Sequence, residues 1–175
     1  ALWHAQSIFI GGDPEAELVV EDGGVVLAGG DIFLGVFPNH KGRVTVSDTG
    51  SLLECSGELA VGDNAPGFLD ILGGAVVNSG PAEVGRLAVG PGTVFIRGIL
   101  SPARWQVNGD MKVGVGGFGS ISLDALPFIG GATLSVSGTL TVGPRGLISG
   151  NGTLAVPLTR IVTMIGGRIS PGLSP

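Results

Sequence analysis

The sequence predicts an all-β protein of 175 residues that folds as a single-stranded parallel β-helix, or β-solenoid, of about six coils. Three observations support this prediction: many glycines, many apolar residues, and a short strand pattern that recurs along the chain. Glycine occupies 34 positions while 43% of the residues are hydrophobic, which is too apolar for a disordered linker. Because each interior glycine destabilises a helix by about 1 kcal/mol relative to alanine, the composition favours short strands joined by turns.

The recurring pattern is a tetrapeptide in which two apolar residues flank one variable residue and glycine follows. It occurs six times, with its glycines 24 to 29 residues apart, at 8–11, 32–35, 59–62, 87–90, 111–114 and 140–143. The flanking positions are always apolar, whereas the middle position is phenylalanine, alanine, lysine or threonine. This alternation is typical of a strand with one buried face, so we predict one coil for each repeat.

Further strands complete each predicted coil. A second alternating strand follows the first five tetrapeptides, at 18–20, 44–46, 69–71, 94–96 and 121–123. A third strand, with a less regular alternation, follows a glycine-containing turn; turn and strand together span 23–27, 49–53 and 73–77. Two or three strands in about 25 residues are typical of one solenoid coil. An antiparallel sandwich or barrel is the alternative, but it gives no reason for the tetrapeptide to return every third strand. We predict a single domain over 1–175, either complete or part of a longer solenoid.

The overall charge and the single cysteine narrow the function classes. Nine basic and 14 acidic residues give a net charge of −5, so we expect no nucleic-acid partner. No run approaches the 18 or so apolar residues of a membrane span, so we expect no membrane insertion. Cys55 lies among apolar residues, and we interpret it as a small buried hydrophobe rather than a nucleophile.

Residues for metal binding or catalysis are sparse. His4 and His40 each stand apart from other ligand-type residues, so we expect no metal site and no cofactor.

Four carboxylates are the candidates for glycosidase or lyase chemistry, which uses paired acids: Asp48, Glu54, Asp70 and Glu83. They could approach each other across coils. However, the connections are short, tyrosine is absent and tryptophan occurs only twice, which leaves little room or stacking surface for a sugar. A polysaccharide-degrading enzyme is therefore the least favoured reading, and we expect no catalytic residue.

Several segments resemble a known group of proteins. The segments 57–62 and 67–77 combine a Leu-x-Val-Gly strand, a small-residue turn, a second strand and Gly-Gly before a third strand. They resemble the repeats of autotransporter passengers and of PEP-CTERM-associated surface proteins. The segment 103–114 is similar to the tryptophan-containing entry to a coil in those proteins, and 1–11 is a near copy of it. The resemblance implies a right-handed parallel β-helix, export across a bacterial envelope, and a structural or adhesive role.

Charge is distributed unevenly along the chain. All 14 acidic residues lie at or before Asp124, together with six basic residues, so this part has a charge of 6 − 14 = −8. The last 51 residues carry Arg145, Arg160 and Arg168 and no acid, which gives +3. A rod with one acidic and one basic end favours contact between unlike ends, and such a contact generates a filament because it does not close.

We therefore expect a non-enzymatic, extracellular structural subunit that stacks head to tail into a surface filament, sheath or stalk. Its expected partners are copies of itself or neighbouring coils of a longer chain. Trp3 and Trp105 are expected to be core or junction anchors. The residues predicted to form the assembly interface lie toward the two ends of the chain and are Trp3, Ile8, Phe9, Ile10, Phe33, Leu154, Val156, Arg160, Val162, Ile165, Arg168 and Ile169.

The main alternative is an adhesin or carbohydrate-binding passenger module that uses outward-facing strand positions. Phe9 and Phe33 fall at equivalent outward positions of adjacent coils, and Phe95 points outward from a second strand. Stacked aromatic side chains would form either a ligand surface or a seam at which filaments bundle.

Overall fold

A computed structural model of the chain confirms the β-solenoid. The structure describes residues 1–13, 15–125 and 130–172, and over these ranges the regular structure is all strand, with no helix. The strands form three parallel sheets, and every third strand along the chain returns to the same sheet. The chain passes seven times through each sheet. We number these passes coil 1 to coil 7; between the first and the last, the chain makes about six turns.

The three sheets have the following strands, each given in its spatial order. Sheet 1 contains β1 (Leu2–Ala5), β4 (Val25–Ala28), β7 (Leu52–Cys55), β10 (Val76–Ser79), β13 (Ala103–Val107), β16 (Ala132–Val136) and β19 (Thr153–Ala155). Sheet 2 contains β2 (Ile8–Ile10), β5 (Ile32–Leu34), β8 (Leu59–Val61), β11 (Ala82–Val84), β14 (Met111–Val113), β17 (Leu140–Val142) and β20 (Val162–Met164). Sheet 3 contains β3 (Glu15–Val20), β6 (Lys41–Ser47), β9 (Gly67–Leu72), β12 (Gly92–Gly98), β15 (Gly119–Ala125), β18 (Gly146–Gly150) and β21 (Arg168–Pro171).

One of the six tetrapeptides was assigned wrongly. Residues 87–90 form an exposed turn, in which the N–H of Gly90 donates to the carbonyl of Leu87 at 3.1 Å. The sheet 2 strand of coil 4 is β11, and Gly85 follows it. The segment 82–85 has the same form as the other repeats, but it begins with alanine, so its apolar signal is weaker than that of the leucine and valine in the turn.

The core consists of columns of inward-facing side chains, each column containing one residue from every coil at the same register. One column runs from Val26 in coil 2 through Leu53, Val77 and Trp105 to Leu134 in coil 6. All five are buried, and similar columns of buried Ile, Leu and Val side chains line the interior of all three sheets. Because neighbouring strands lie about 4.8 Å apart, each side chain packs against those above and below it.

The two predictions of buried residues in the middle coils are confirmed. Trp105 is fully buried, and its indole N–H donates to the Ser79 hydroxyl at 3.1 Å, so its polar atom is satisfied inside the core. Cys55 is also buried, in the same sheet as Ser79.

The corner after sheet 2 requires glycine because the next coil lies directly against it. At Gly62 φ is +80°, which side chains disfavour, and an added Cβ would lie 2.5 Å from the carbonyl carbon and oxygen of Pro91 in coil 4. In coil 7, the last one the structure describes, Ile165 occupies the equivalent position.

The corner before sheet 2 is held by aspartate. The carboxylate of Asp31 accepts the backbone N–H of Glu58 in the next coil at 2.8 Å, and Asp110 accepts that of Thr139 at 2.7 Å. These bonds supply acceptors for backbone groups where the strand ladder is interrupted.

Candidate assembly interface

The two ends of the solenoid carry most of the residues predicted to form an interface. Each sheet ends in coil 1 at one side and in coil 7 at the other. Among the residues that the structure describes, no strand pairs with the outer edge of β1, β2 or β3, nor with that of β19, β20 or β21. Both ends therefore present backbone donors and acceptors of three parallel strands, a ready template for pairing with another chain.

The first end presents an exposed tryptophan. Trp3 occupies the inward register position beside Val26, yet it is 48% exposed because only coil 2 packs against it, on one side. Ile8 and Ile10 of β2 are inward and buried. Phe9 between them points outward and is exposed. The aromatic surface at this end therefore comes from Trp3 at its inner part and Phe9 at its rim.

The last end exposes side chains that belong to core columns. Val162 and Met164 continue the columns of Leu140 and Val142, which are fully buried, but they are 44% and 45% exposed. Met164 was not predicted, although its position two residues after Val162 in the same alternation would have identified it.

At the last end, Leu154 of sheet 1 and Ile169 of sheet 3 are half-buried, and both pack against the core. Within the part of the chain that the structure describes, this end face is therefore a cross-section of the core with no further strand over it.

The other predicted residues of coil 7 lie around this end face. Val156 is half-buried against the core, and Ile165 is exposed at the corner. Arg160 is exposed, and its Nε donates to the carbonyl of Ser137 at 3.1 Å, which fixes it beside coil 6. Arg168 is exposed at the start of β21.

The first and the last coil carry side-chain charges of opposite sign. Residues 1–24 hold five carboxylates and no lysine or arginine; the five are Asp13, Glu15, Glu17, Glu21 and Asp22. Residues 151–172 hold Arg160 and Arg168 and no carboxylate. The two ends are therefore complementary in charge as well as similar in apolar content, and electrostatic attraction between them would be strongest at low ionic strength.

In the middle coils, by contrast, opposite charges are paired across neighbouring strands. The ammonium of Lys112 donates to the Glu83 carboxylate at 2.7 Å, and this hydrogen bond raises the pKa of Lys112. Arg97 pairs with Asp124 at 2.7 Å. These pairs join residues at the same register in adjacent coils.

The four candidate acids do not form a catalytic pair. Glu54 lies on sheet 1, Glu83 on sheet 2 and Asp70 on sheet 3, while Asp48 occupies the corner after β6. Glu54, Glu83 and Asp70 therefore lie on three different faces, because consecutive strands of a solenoid belong to different sheets.

Asp70, one of these four acids, has a structural partner on the neighbouring strand. It forms an ion pair with Arg43 on the neighbouring strand. Burial raises the pKa of Asp70, while the Arg43 guanidinium acts in the opposite direction.

The aromatic pair lies where the sequence predicts it. The rings of Phe9 and Phe33 are adjacent on the outer face of sheet 2, with centroids 5.7 Å apart and planes inclined by 58°. The Arg86 guanidinium lies over the Phe33 ring at 5.0 Å. Phe95 also points outward, but it lies on sheet 3, so it does not extend the pair.

Neither a metal-binding cluster nor a membrane-spanning helix occurs among the residues that the structure describes. Within residues 1–13, 15–125 and 130–172, no three histidine, cysteine or acidic residues are grouped closely enough to hold a metal ion. Over the same described residues, no helix has the length and apolar character needed to cross a membrane.

The class of the chain is defined by its architecture, a three-sheet parallel β-solenoid. No family model matches the sequence, and neither a curated protein nor a solved structure matches the chain.

Proposed function

We propose that the protein is an extracellular structural subunit that stacks head to tail into a filament, sheath or stalk. The observation that carries the proposal is the complementarity of its two ends. Each end presents unpaired edges of the same three sheets around apolar core residues, and the ends carry opposite charges. The first end of one copy therefore fits the last end of another: both ends have strand edges that can pair, both have apolar residues, and their charges are opposite.

The contact between unlike ends leaves one free end on each copy. Such a heterologous contact continues indefinitely unless a rotation closes it, so stacked solenoids form a filament rather than a dimer. Burial of Trp3, Val162 and Met164 supplies a hydrophobic contribution, at about 25 cal/mol for each square ångström of apolar surface removed from water. Strand pairing across the junction satisfies the edge groups of all three sheets.

The extracellular location rests on the resemblance to bacterial surface repeats and on the mechanical character of the fold. Continuous Ile, Leu and Val columns and axial backbone hydrogen bonds suit a stiff, durable rod. Only 13% of the residues are charged, which suits a surface packed against neighbours.

Negative-stain electron microscopy with light scattering across a salt series tests the proposal. We expect filaments with an axial repeat of about 34 Å, because seven coils rise about 4.8 Å each. Met164→Lys places a charge in the end face and should abolish filaments. The matched control, Ser122→Lys on the outer face of sheet 3 in coil 5, should leave them intact. Discrete monomers of the unsubstituted chain at high concentration, in low and high salt alike, would overturn the proposal.

The aromatic pair favours a second candidate function, carbohydrate binding by a surface module. Phe9 and Phe33 form an outward aromatic surface beside the guanidinium of Arg86, a combination suited to sugar stacking and hydroxyl binding. Binding to a glycan array that is lost in Phe33→Ala would support it. Phe118→Ala is the control, because Phe118 is equally outward and packs against Arg145 away from the pair. Absence of glycan binding by the unsubstituted chain would contradict it.

A further inference from the structure

Resting on the proposed head-to-tail stacking, we infer that two copies join in register, with each sheet of one copy continuing the same sheet of the next. The filament is then one uninterrupted solenoid, and Arg168 of one copy pairs with Glu17 of the next. The partner recognised by each end is thus a second copy of this chain in a single rotational position.

Three inward columns carry the first part of the argument, because each of these three begins and ends with an apolar residue. The column that begins at Trp3 ends at Leu154. In sheet 2, the column that begins at Ile8 ends at Val162, and the column that begins at Ile10 ends at Met164. In-register stacking brings these four residues together at the junction. In-register stacking places the exposed members of one end on the inward residues of the other.

The lengths of the terminal strands favour this rotational position. In sheet 2 both end strands, β2 and β20, have three residues. In sheet 3, β3 has six residues and is the longest strand of coil 1, and β21 has four residues and is the longest strand of coil 7. In-register stacking therefore sets β3 against four residues, whereas rotation by one sheet would set it against a three-residue strand and leave more of its edge groups without partners.

The outer face of sheet 3 carries the charge argument. The column that begins at Glu17 in coil 1 passes through Arg43 and ends at Arg168 in coil 7. In-register stacking therefore sets Arg168 one strand spacing, about 4.8 Å between backbones, from Glu17 of the next copy.

Sheet 2 shows that this geometry forms an ion pair within the chain. Glu83 and Lys112 occupy the same column on adjacent strands, and their charged atoms lie 2.7 Å apart. The residues that follow Asp124 include no carboxylate, so the sequence around Arg168 offers none along its own coil.

Disulfide cross-linking of two mixed single variants tests the register. Val19 and Ser170 occupy the two ends of one outward column of sheet 3. Mixed Val19→Cys and Ser170→Cys proteins should cross-link under mild oxidation, because same-column residues of adjacent strands lie within disulfide range. The native thiol of Cys55 is buried and should stay unreacted.

The control mixture separates the register from the stacking itself. Phe9→Cys carries its thiol on the outer face of sheet 2 and, mixed with Ser170→Cys, should not cross-link. Filaments in which this mixture cross-links while Val19→Cys and Ser170→Cys do not would overturn the register and leave head-to-tail stacking intact. Cross-linking of Val19→Cys alone would indicate a head-to-head contact and would overturn both.

A charge exchange tests the ion pair. Arg168→Glu and Glu17→Arg should each raise the critical concentration for assembly in low salt by about three- to tenfold, since an exposed attraction becomes a repulsion. The double variant should recover assembly close to that of the unsubstituted chain. Single variants that assemble normally, or a double variant no better than either, would overturn the pairing of Arg168 with Glu17.

Discussion

Trp3 and Trp105 occupy the same column of the solenoid and have opposite environments. Trp105, in coil 5, is fully buried and donates its indole N–H to Ser79. Trp3, in coil 1, is 48% exposed. The inward register is the same in both coils, so the difference comes from the number of neighbouring coils. A side chain in the middle of the solenoid is covered from both sides, whereas an end side chain is covered from one side only.

The corners after sheet 2 show the same dependence on neighbouring coils. Gly62 in coil 3 faces the backbone of Pro91 in coil 4, and no side chain fits there. Ile165 occupies the same place in coil 7 and is exposed. Whether the corner needs glycine thus depends on the coil stacked above it.

The largest expected effect on stability comes from replacing each tryptophan in turn. Trp105→Ala should lower the free energy of unfolding by about 3–5 kcal/mol, because it leaves a large cavity and a buried hydroxyl without its donor. Trp3→Ala should cost about 1 kcal/mol or less in the monomer and act mainly on assembly. Denaturant titration at a concentration below assembly measures both. Equal losses for the two variants would contradict the comparison.

The next test adds one methyl group at a corner. Gly62→Ala should destabilise the protein by about 2–4 kcal/mol, since it combines a strained positive φ with a backbone clash. Gly12→Ala in coil 1 is the control, because a Cβ there has open space around it. Thermal unfolding should show a clear loss for the first variant and almost none for the second. A Gly62→Ala protein as stable as the Gly12→Ala protein would show that the coils can separate at this corner.

A smaller effect is expected at the aspartate corner. Asp31→Ala should cost about 1–2 kcal/mol, because the backbone N–H of Glu58 loses its acceptor. Asp13→Ala, which removes the same charge from an exposed position of coil 1, should change the stability little. Denaturation midpoints of the two variants measure the difference, and Asp31→Asn should recover part of it because the amide oxygen still accepts.

The last test concerns the pH dependence of the middle coils. Burial raises the pKa of the Cys55 thiol from 9.0 to about 12, and the carboxylates of Asp31 and Glu54 act in the same direction. The folded thiol therefore stays neutral while the unfolded thiol ionises. Its contribution to stability is fully present below pH 9 and declines as the pH rises toward 12, by about 1.4 kcal/mol for each pH unit.

Unfolding free energies at pH 8 and pH 10 measure this contribution. Cys55→Ala removes the thiol and should show a smaller decline between these two values than the unsubstituted protein. Identical declines in both proteins would mean that the Cys55 thiol is accessible to water in the folded state.

Much of the fold could be predicted because each strand carries its own signal. The alternation at 44–46 and 69–71 requires one buried face, and β6 and β9 are found at those places. The assignment of 87–90 failed because an apolar turn and an apolar strand look alike over four residues. Which of two such segments enters the sheet depends on the length of the coil and on its neighbours.

The interface residues divide in the same way. The apolar residues Val162 and Ile169 could be predicted from the terminal alternation. The relation between Glu17 and Arg168 could not, because it depends on the summed registers of seven strands separated by corners of different lengths. The sequence likewise did not show that Glu54, Asp70 and Glu83 lie on three different faces, because the stacking of the coils determines which strands share a face.

By itself, the sequence determined that the chain is all-β, that its coils repeat about every 25 residues, and which faces of its strands are apolar. These properties follow from local alternation and from glycine at the corners. Only the tertiary structure decided which apolar residues are covered and which charges face each other. Those outcomes depend on contacts between residues one coil or more apart, where the stacking of coils, rather than local conformation, sets the distances.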